Sequence, residues 1–141
     1  MINELRCYTF TLYQLSPIQQ GIQAGHAAVE LVNGHQHDEL VTEWASKWKT
    51  MVCLNGGDYQ DLTDFIFIFL VRTENTLPWC FFKEDASFGN LITSVAMIIP
   101  ARIFGTAENL RKMKFDQQMP SSFTEWEYEL VERLARAGKA R

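Results

Sequence analysis

Apolar residues in this chain recur with two different periods, and the changes between them predict its elements. Leu5 to Leu12 reads Leu-Arg-Cys-Tyr-Thr-Phe-Thr-Leu, rich in β-formers and partly alternating, which predicts a first strand. Ser16-Pro17-Ile18-Gln19 then opens a helix. Ser16 suits the N-cap, Pro17 the first helical position, and Gln19 can complete a capping box. Asn33-Gly34 supplies its stop. A second helix is expected from Asp38 to Trp48, where Leu40, Val41, Trp44, Ala45 and Trp48 have helical spacing. Thr50 to Leu54 reads as a short strand ended by Asn55-Gly56-Gly57. Asp58 then suits an N-cap, with Asp61 in the first helical turn.

The next run supports two readings. Phe65-Ile66-Phe67-Ile68-Phe69 fits a buried strand by local propensity, while Leu62, Phe65, Ile66, Phe69 and Leu70 form a helical stripe. Trp79 to Lys83 and Leu91 to Ile99 read as further strands. The last is almost continuously apolar, as expected of a central strand covered on both faces, and Pro100 ends it. Residues 101 to 121 carry little pattern. A final amphipathic helix is expected from Ser122 to Ala137, with Trp126, Leu130, Val131 and Leu134 on one stripe. The expected fold is α/β: a small mixed, mostly parallel, four-stranded sheet with helices on both faces. Residues 1–100 would form its core, and 101–141 a C-terminal extension of the same domain.

Composition narrows the classes. At 141 residues with 47% hydrophobic content, the chain can bury a normal single core. The net charge of −4 counts against generic nucleic-acid binding, although a local basic patch such as Arg133 to Arg141 is compatible with it. No signal peptide or membrane span is read, so a cytoplasmic protein is expected. Cys7, Cys53 and Cys80 are widely spaced among apolar neighbours and read as small buried hydrophobes. His26, His35 and His37 lack zinc spacing, and neither a metal nor a cofactor is expected.

Candidate chemistry concentrates where ligands bind open α/β sheets, at the carboxyl ends of strands. Those places are Gln14 to Gln20, Asn55 to Asp58 and Lys83 to Ser87. On the first helix, Gln19, Gln23, His26 and Glu30 share a face, and small residues on another face permit close packing. Lys83-Glu84-Asp85 sets two carboxylates beside an ammonium, a group able to position or activate water. Thr93 and Ser94 interrupt an apolar strand, and a buried hydroxyl needs a partner. Asn55-Gly56-Gly57 is a candidate anion loop.

These motifs together resemble the type 2 (archaeal-type) peptidyl-tRNA hydrolases. Gln23-Ala24-Gly25-His26-Ala27-Ala28 is similar to the family's Gln-x-x-His-Ala-Ala signature. Thr50 to Leu62 resembles its second strand and following helix start. Phe82-Lys83-Glu84-Asp85 and Ile92-Thr93-Ser94-Val95-Ala96 resemble its closing strand pair. The resemblance covers about residues 5 to 100 and selects the helical reading for Phe65 to Phe69. It implies hydrolysis of the ester joining a peptide to tRNA, without a metal, in a protein that is often dimeric. Glu84 or Asp85 would orient water with help from Thr93 and His26. Gln19, Gln20, Gln23 and Lys83 would bind the ligand, and Lys83 and the basic tail would meet the RNA. The chain departs from the family in the stretch Leu15 to Gln20, which has no lysine; Gln19 stands where the family's lysine is expected. A non-catalytic module binding a nucleotide or other small ligand, and an oligomeric interaction protein built on the tail, are the competing expectations.

Overall fold

The structure is a computed structural model describing residues 4–113, 120 and 122–139. Its elements run β1 (Leu5–Thr11), α1 (Pro17–Gly34), α2 (Glu39–Glu43), β2 (Met51–Asn55), α3 (Tyr59–Asp64), β3 (Trp79–Lys83), β4 (Ile92–Pro100), α4 (Ala101–Lys112) and α5 (Glu125–Arg136). α2 and α3 each continue without a break into a π-helical segment, Trp44–Trp48 and Phe65–Leu70. The phenylalanine-rich run is therefore helical.

The caps follow from local chemistry. Ser16 accepts a hydrogen bond from the Gln19 amide at 3.2 Å, one half of the expected box. Asp58 and Asp61 form both halves of a box at the start of α3, as do Thr124 and Glu127 at the start of α5. The final helix thus begins at Glu125, a little later than the expected Ser122.

The strand order is β2-β1-β4-β3. β1 and β2 pair in parallel, whereas β4 is antiparallel to both β1 and β3. This corrects the expectation of a mostly parallel sheet, since one of its three strand pairings is parallel. Residues 84–91 are too short a link for a parallel crossover, so β3 and β4 form a hairpin. β4, buried along nearly its whole length, takes a central place. Even so, β1, β2 and β3 point the same way, so their carboxyl ends share one end of the sheet.

Side-chain alternation divides the core into two layers. Tyr8, Phe10, Val95, Met97 and Ile99 pack under α3, α4 and α5, while Leu5, Cys7, Ala96 and Ile98 pack under α1 and α2 with Ala27, Ala28 and Leu31. Helices therefore cover both faces. α4, which the sequence pattern does not mark, buries Ile103, Phe104, Ala107 and Leu110. α5 buries its apolar stripe, Trp126, Leu130, Val131 and Leu134, in this same core.

Two of the cysteines sit in surroundings that favour the neutral thiol. Burial, with a smaller effect of nearby Cys53, pushes the Cys7 thiol up to about 12, and burial also raises Cys80. No helix among the described residues is long and apolar enough to cross a membrane.

Gly56 joins the exit of β2 to β1. Its amide donates to the Thr11 carbonyl at 2.7 Å, and a Cβ there would lie 2.9 Å from the Thr11 backbone nitrogen. Backbone cannot move aside as a side-chain tip can. Gly56→Ala is expected to cost about 1–3 kcal/mol, read as a lower urea midpoint at unchanged slope.

Candidate functional site

Two of the three places at the carboxyl end of the sheet, Gln14 to Gln20 and Lys83 to Ser87, meet around one pocket. Leu15, Gln19, Gln23, Glu84, Leu91 and Thr93 line a pocket of about 320 Å³ between α1 and the β3–β4 hairpin. Gln19 and Gln23 come from one face of α1, as their spacing of four requires. Glu84 follows β3. Thr93 owes its position to an irregularity in β4: Phe82 pairs with Ser94 and Lys83 with Ile92, so Thr93 is the extra residue of a β-bulge. Such bulges re-aim side chains, and this one lets Thr93 reach α1.

A directed chain of hydrogen bonds runs through the pocket wall. Thr93 Oγ1 and Gln23 Oε1 lie 2.6 Å apart, and Gln23 Nε2 and Glu84 Oε1 lie 2.8 Å apart. A carboxylate can only accept, so the amide nitrogen of Gln23 faces Glu84 and its oxygen faces Thr93. The Thr93 hydroxyl must then donate. Gln23 and Thr93 are both buried, so this chain is shielded from competing water. Glu84 has a second oxygen for a water or a ligand hydroxyl. Ser94 is engaged within the sheet, bonded to the Thr11 hydroxyl at 2.7 Å.

The other predicted residues have different roles. Asp85 is exposed, caps the short turn Ala86–Phe88 by accepting from the Ser87 amide and hydroxyl, and does not line the pocket. Gln20 is buried and donates to the Tyr13 and Leu15 carbonyls at 3.2 and 2.9 Å, clamping the turn between β1 and α1. Lys83 is exposed and lines no part of the pocket. His26 is exposed one helical turn beyond Gln23, its ring stacked on Phe82 with centroids 4.6 Å apart.

Among the described residues, Glu84 is the pocket's one charged lining residue. The expected anion loop is closed to a ligand. The Asn55 amide donates to Gly138, that of Gly56 to Thr11, and those of Gly57 and Asp58 to the side chains of Asn55 and Asp61. The tail lies across the sheet from the pocket. Lys139 bridges to Leu54 of β2, and Arg133 and Arg136 line a separate pocket with Phe10, Asn55 and Phe65. The end of the expected basic tail, residues 140–141, lies outside the described residues. No group of three or more His, Cys, Asp or Glu among the described residues can hold a metal ion.

No family model matches the chain, and no curated protein matches it in sequence.

Proposed function

We propose that the chain hydrolyses the ester joining a peptide to tRNA, with Glu84 as the base that takes a proton from the attacking water. The observation that carries this reading is the directed chain Thr93–Gln23–Glu84. It holds a carboxylate at the pocket wall with one oxygen engaged and the other available, the arrangement a positioned general base requires. Gln23 fixes the carboxylate, Thr93 fixes the orientation of Gln23, and Gln19 supplies a neutral donor to the oxyanion. The four-stranded mixed sheet flanked by helices and the motif order of the sequence support the same reading.

Purified protein is expected to release peptide from an N-blocked aminoacyl-tRNA. Because an amide stabilises an oxyanion less than an ammonium does, Gln19→Lys is expected to raise the rate about tenfold or more. No turnover by either protein in excess over substrate, with the fold intact by circular dichroism, overturns the reading.

One observation favours a second reading. With a carboxylate as the only charge that the described residues place on its lining, the pocket suits ligands that donate hydrogen bonds and repels bare phosphate. A non-catalytic module binding a nucleotide or another small ligand through its sugar or base fits that charge. It predicts a thermal shift with nucleosides and no ester cleavage. Self-association is a separate proposal, supported by exposed Phe67 and Ile68 on the helical segment that precedes β3, an edge strand, and by exposed Val71 just after that segment. Light scattering of the protein in solution tests it, and a monomer mass at high concentration removes it.

A further inference from the structure

We infer that the His26–Phe82 stack is a seat for the base of a nucleoside whose ribose hydroxyls face Glu84. The assignment rests on the hydrolase reading in one respect, since the nucleoside would be the terminal one of the RNA ester. Two successive links join α1 to the hairpin. Gln23 reaches Glu84, and one turn later His26 meets Phe82, which precedes Glu84 on the strand side. The offset between the links is about 4–5 Å along the helix and about 7 Å along the strand. An offset on that scale matches the separation between the base of a nucleoside and its ribose hydroxyls.

The His26 ring is built for stacking. One face lies against Phe82 at an interplanar angle of 21°, and the residue is otherwise exposed. No hydrogen bond within the described residues engages its ring nitrogens. Gly25 beside it adds no side chain, and a Cβ there would meet nothing within 4 Å. A histidine kept for structure would be buried or tied by its nitrogens; this one is exposed, and its one ring contact among the described residues is the stack on Phe82. Nucleic-acid bases stack on histidine and phenylalanine in this way, and a carboxylate is a common partner of ribose hydroxyls. A base on His26 would set the ribose against Glu84 and bring an ester on that ribose to the pocket. His26 then positions substrate, in place of the help in orienting water that the resemblance implies for it.

Adenosine tests this directly, because it carries base and ribose without phosphate or ester. In an NMR titration it is expected to shift the His26 ring and Gln23 amide resonances, with an affinity nearly independent of salt. His26→Ala is expected to weaken binding by about tenfold or more, while His26→Phe retains it. Ribose alone is expected to bind far more weakly than adenosine. The inference is overturned if adenosine shifts neither resonance, if His26→Ala binds as tightly as the parent, or if His26→Phe loses as much as His26→Ala. Peptide release assayed on the same proteins separates the two claims. Adenosine binding without any turnover removes the hydrolase reading and leaves the base seat, whereas turnover without adenosine binding does the reverse.

Discussion

Trp126→Ala is expected to destabilise the fold by about 3–5 kcal/mol, more than any other substitution proposed for this chain. Trp126 is 1% exposed, among the largest fully buried side chains. Its ring stacks on Phe69 with centroids 4.7 Å apart and planes within 8° of parallel, and its Nε1 donates to the Phe69 carbonyl at 2.9 Å. One residue thus fastens α5 to the π-helical end of α3. Truncation loses the apolar burial, opens a cavity beneath α5 and removes a buried hydrogen bond. Arg133 adds to the same seam, its guanidinium 4.7 Å from the Phe69 ring centroid. Against a typical total of about 5–15 kcal/mol, the loss is enough to leave a large unfolded fraction. Trp126→Phe separates the contributions: it keeps an aromatic ring in the stack, leaves the Phe69 carbonyl without its indole donor, and is expected to cost about 1–3 kcal/mol. Urea melts of the parent and both variants check these values. A Trp126→Ala loss below about 1 kcal/mol would show that α5 is not integral to the core.

How far the fold is legible in the sequence depends on whether its cause is local. The caps at Ser16, Asp58 and Thr124 and the strand at Leu5 are written in neighbouring residues, and their elements appear within a few positions. α4 escapes the pattern although Ile103, Phe104, Ala107 and Leu110 have helical spacing, because Pro100, Gly105 and polar neighbours dilute that stripe. The π-helical ends of α2 and α3 have no distinct sequence period. Sheet direction is misread because alternating strands and helices suggest crossovers, while the decisive fact is the short link from Lys83 to Ile92.

The site is legible in part for the same reason. Gln19 and Gln23 share a helix face by arithmetic alone, and Glu84 and Thr93 stand out by chemistry. Their meeting depends on the bulge at Thr93, a matter of strand register that no local pattern reveals. Glu84 and Asp85 are indistinguishable in sequence. The turn after β3 separates them, giving Asp85 to a cap and Glu84 to the pocket.

Glu84→Gln is expected to lower kcat for peptide release by about 10²–10⁴-fold with little change in KM. The substitution keeps size and shape but removes the acceptor proposed to take the proton. Because the introduced amide can turn its oxygen toward Gln23, the link at 2.8 Å survives and the fold is expected to be unaffected. Gln23→Leu cuts the chain at its middle. It leaves the carboxylate in place but unheld, and strands the buried Thr93 hydroxyl. A smaller loss of kcat follows, together with about 1–3 kcal/mol of stability. Thr93→Val acts one step farther away and frees the Gln23 amide to turn, so its effect on kcat is smaller again. The order Glu84, Gln23, Thr93 is the signature of a base held through a relay. Combining Glu84→Gln with Gln23→Leu should cost little more kcat than Glu84→Gln alone, since an orienting residue has nothing left to orient. If the two losses instead multiply, or if Glu84→Gln releases peptide at the parent rate, Glu84 is not the base. The Thr93–Gln23–Glu84 chain would then serve to tie α1 to the hairpin, a role visible in the melts of the Gln23 and Thr93 variants.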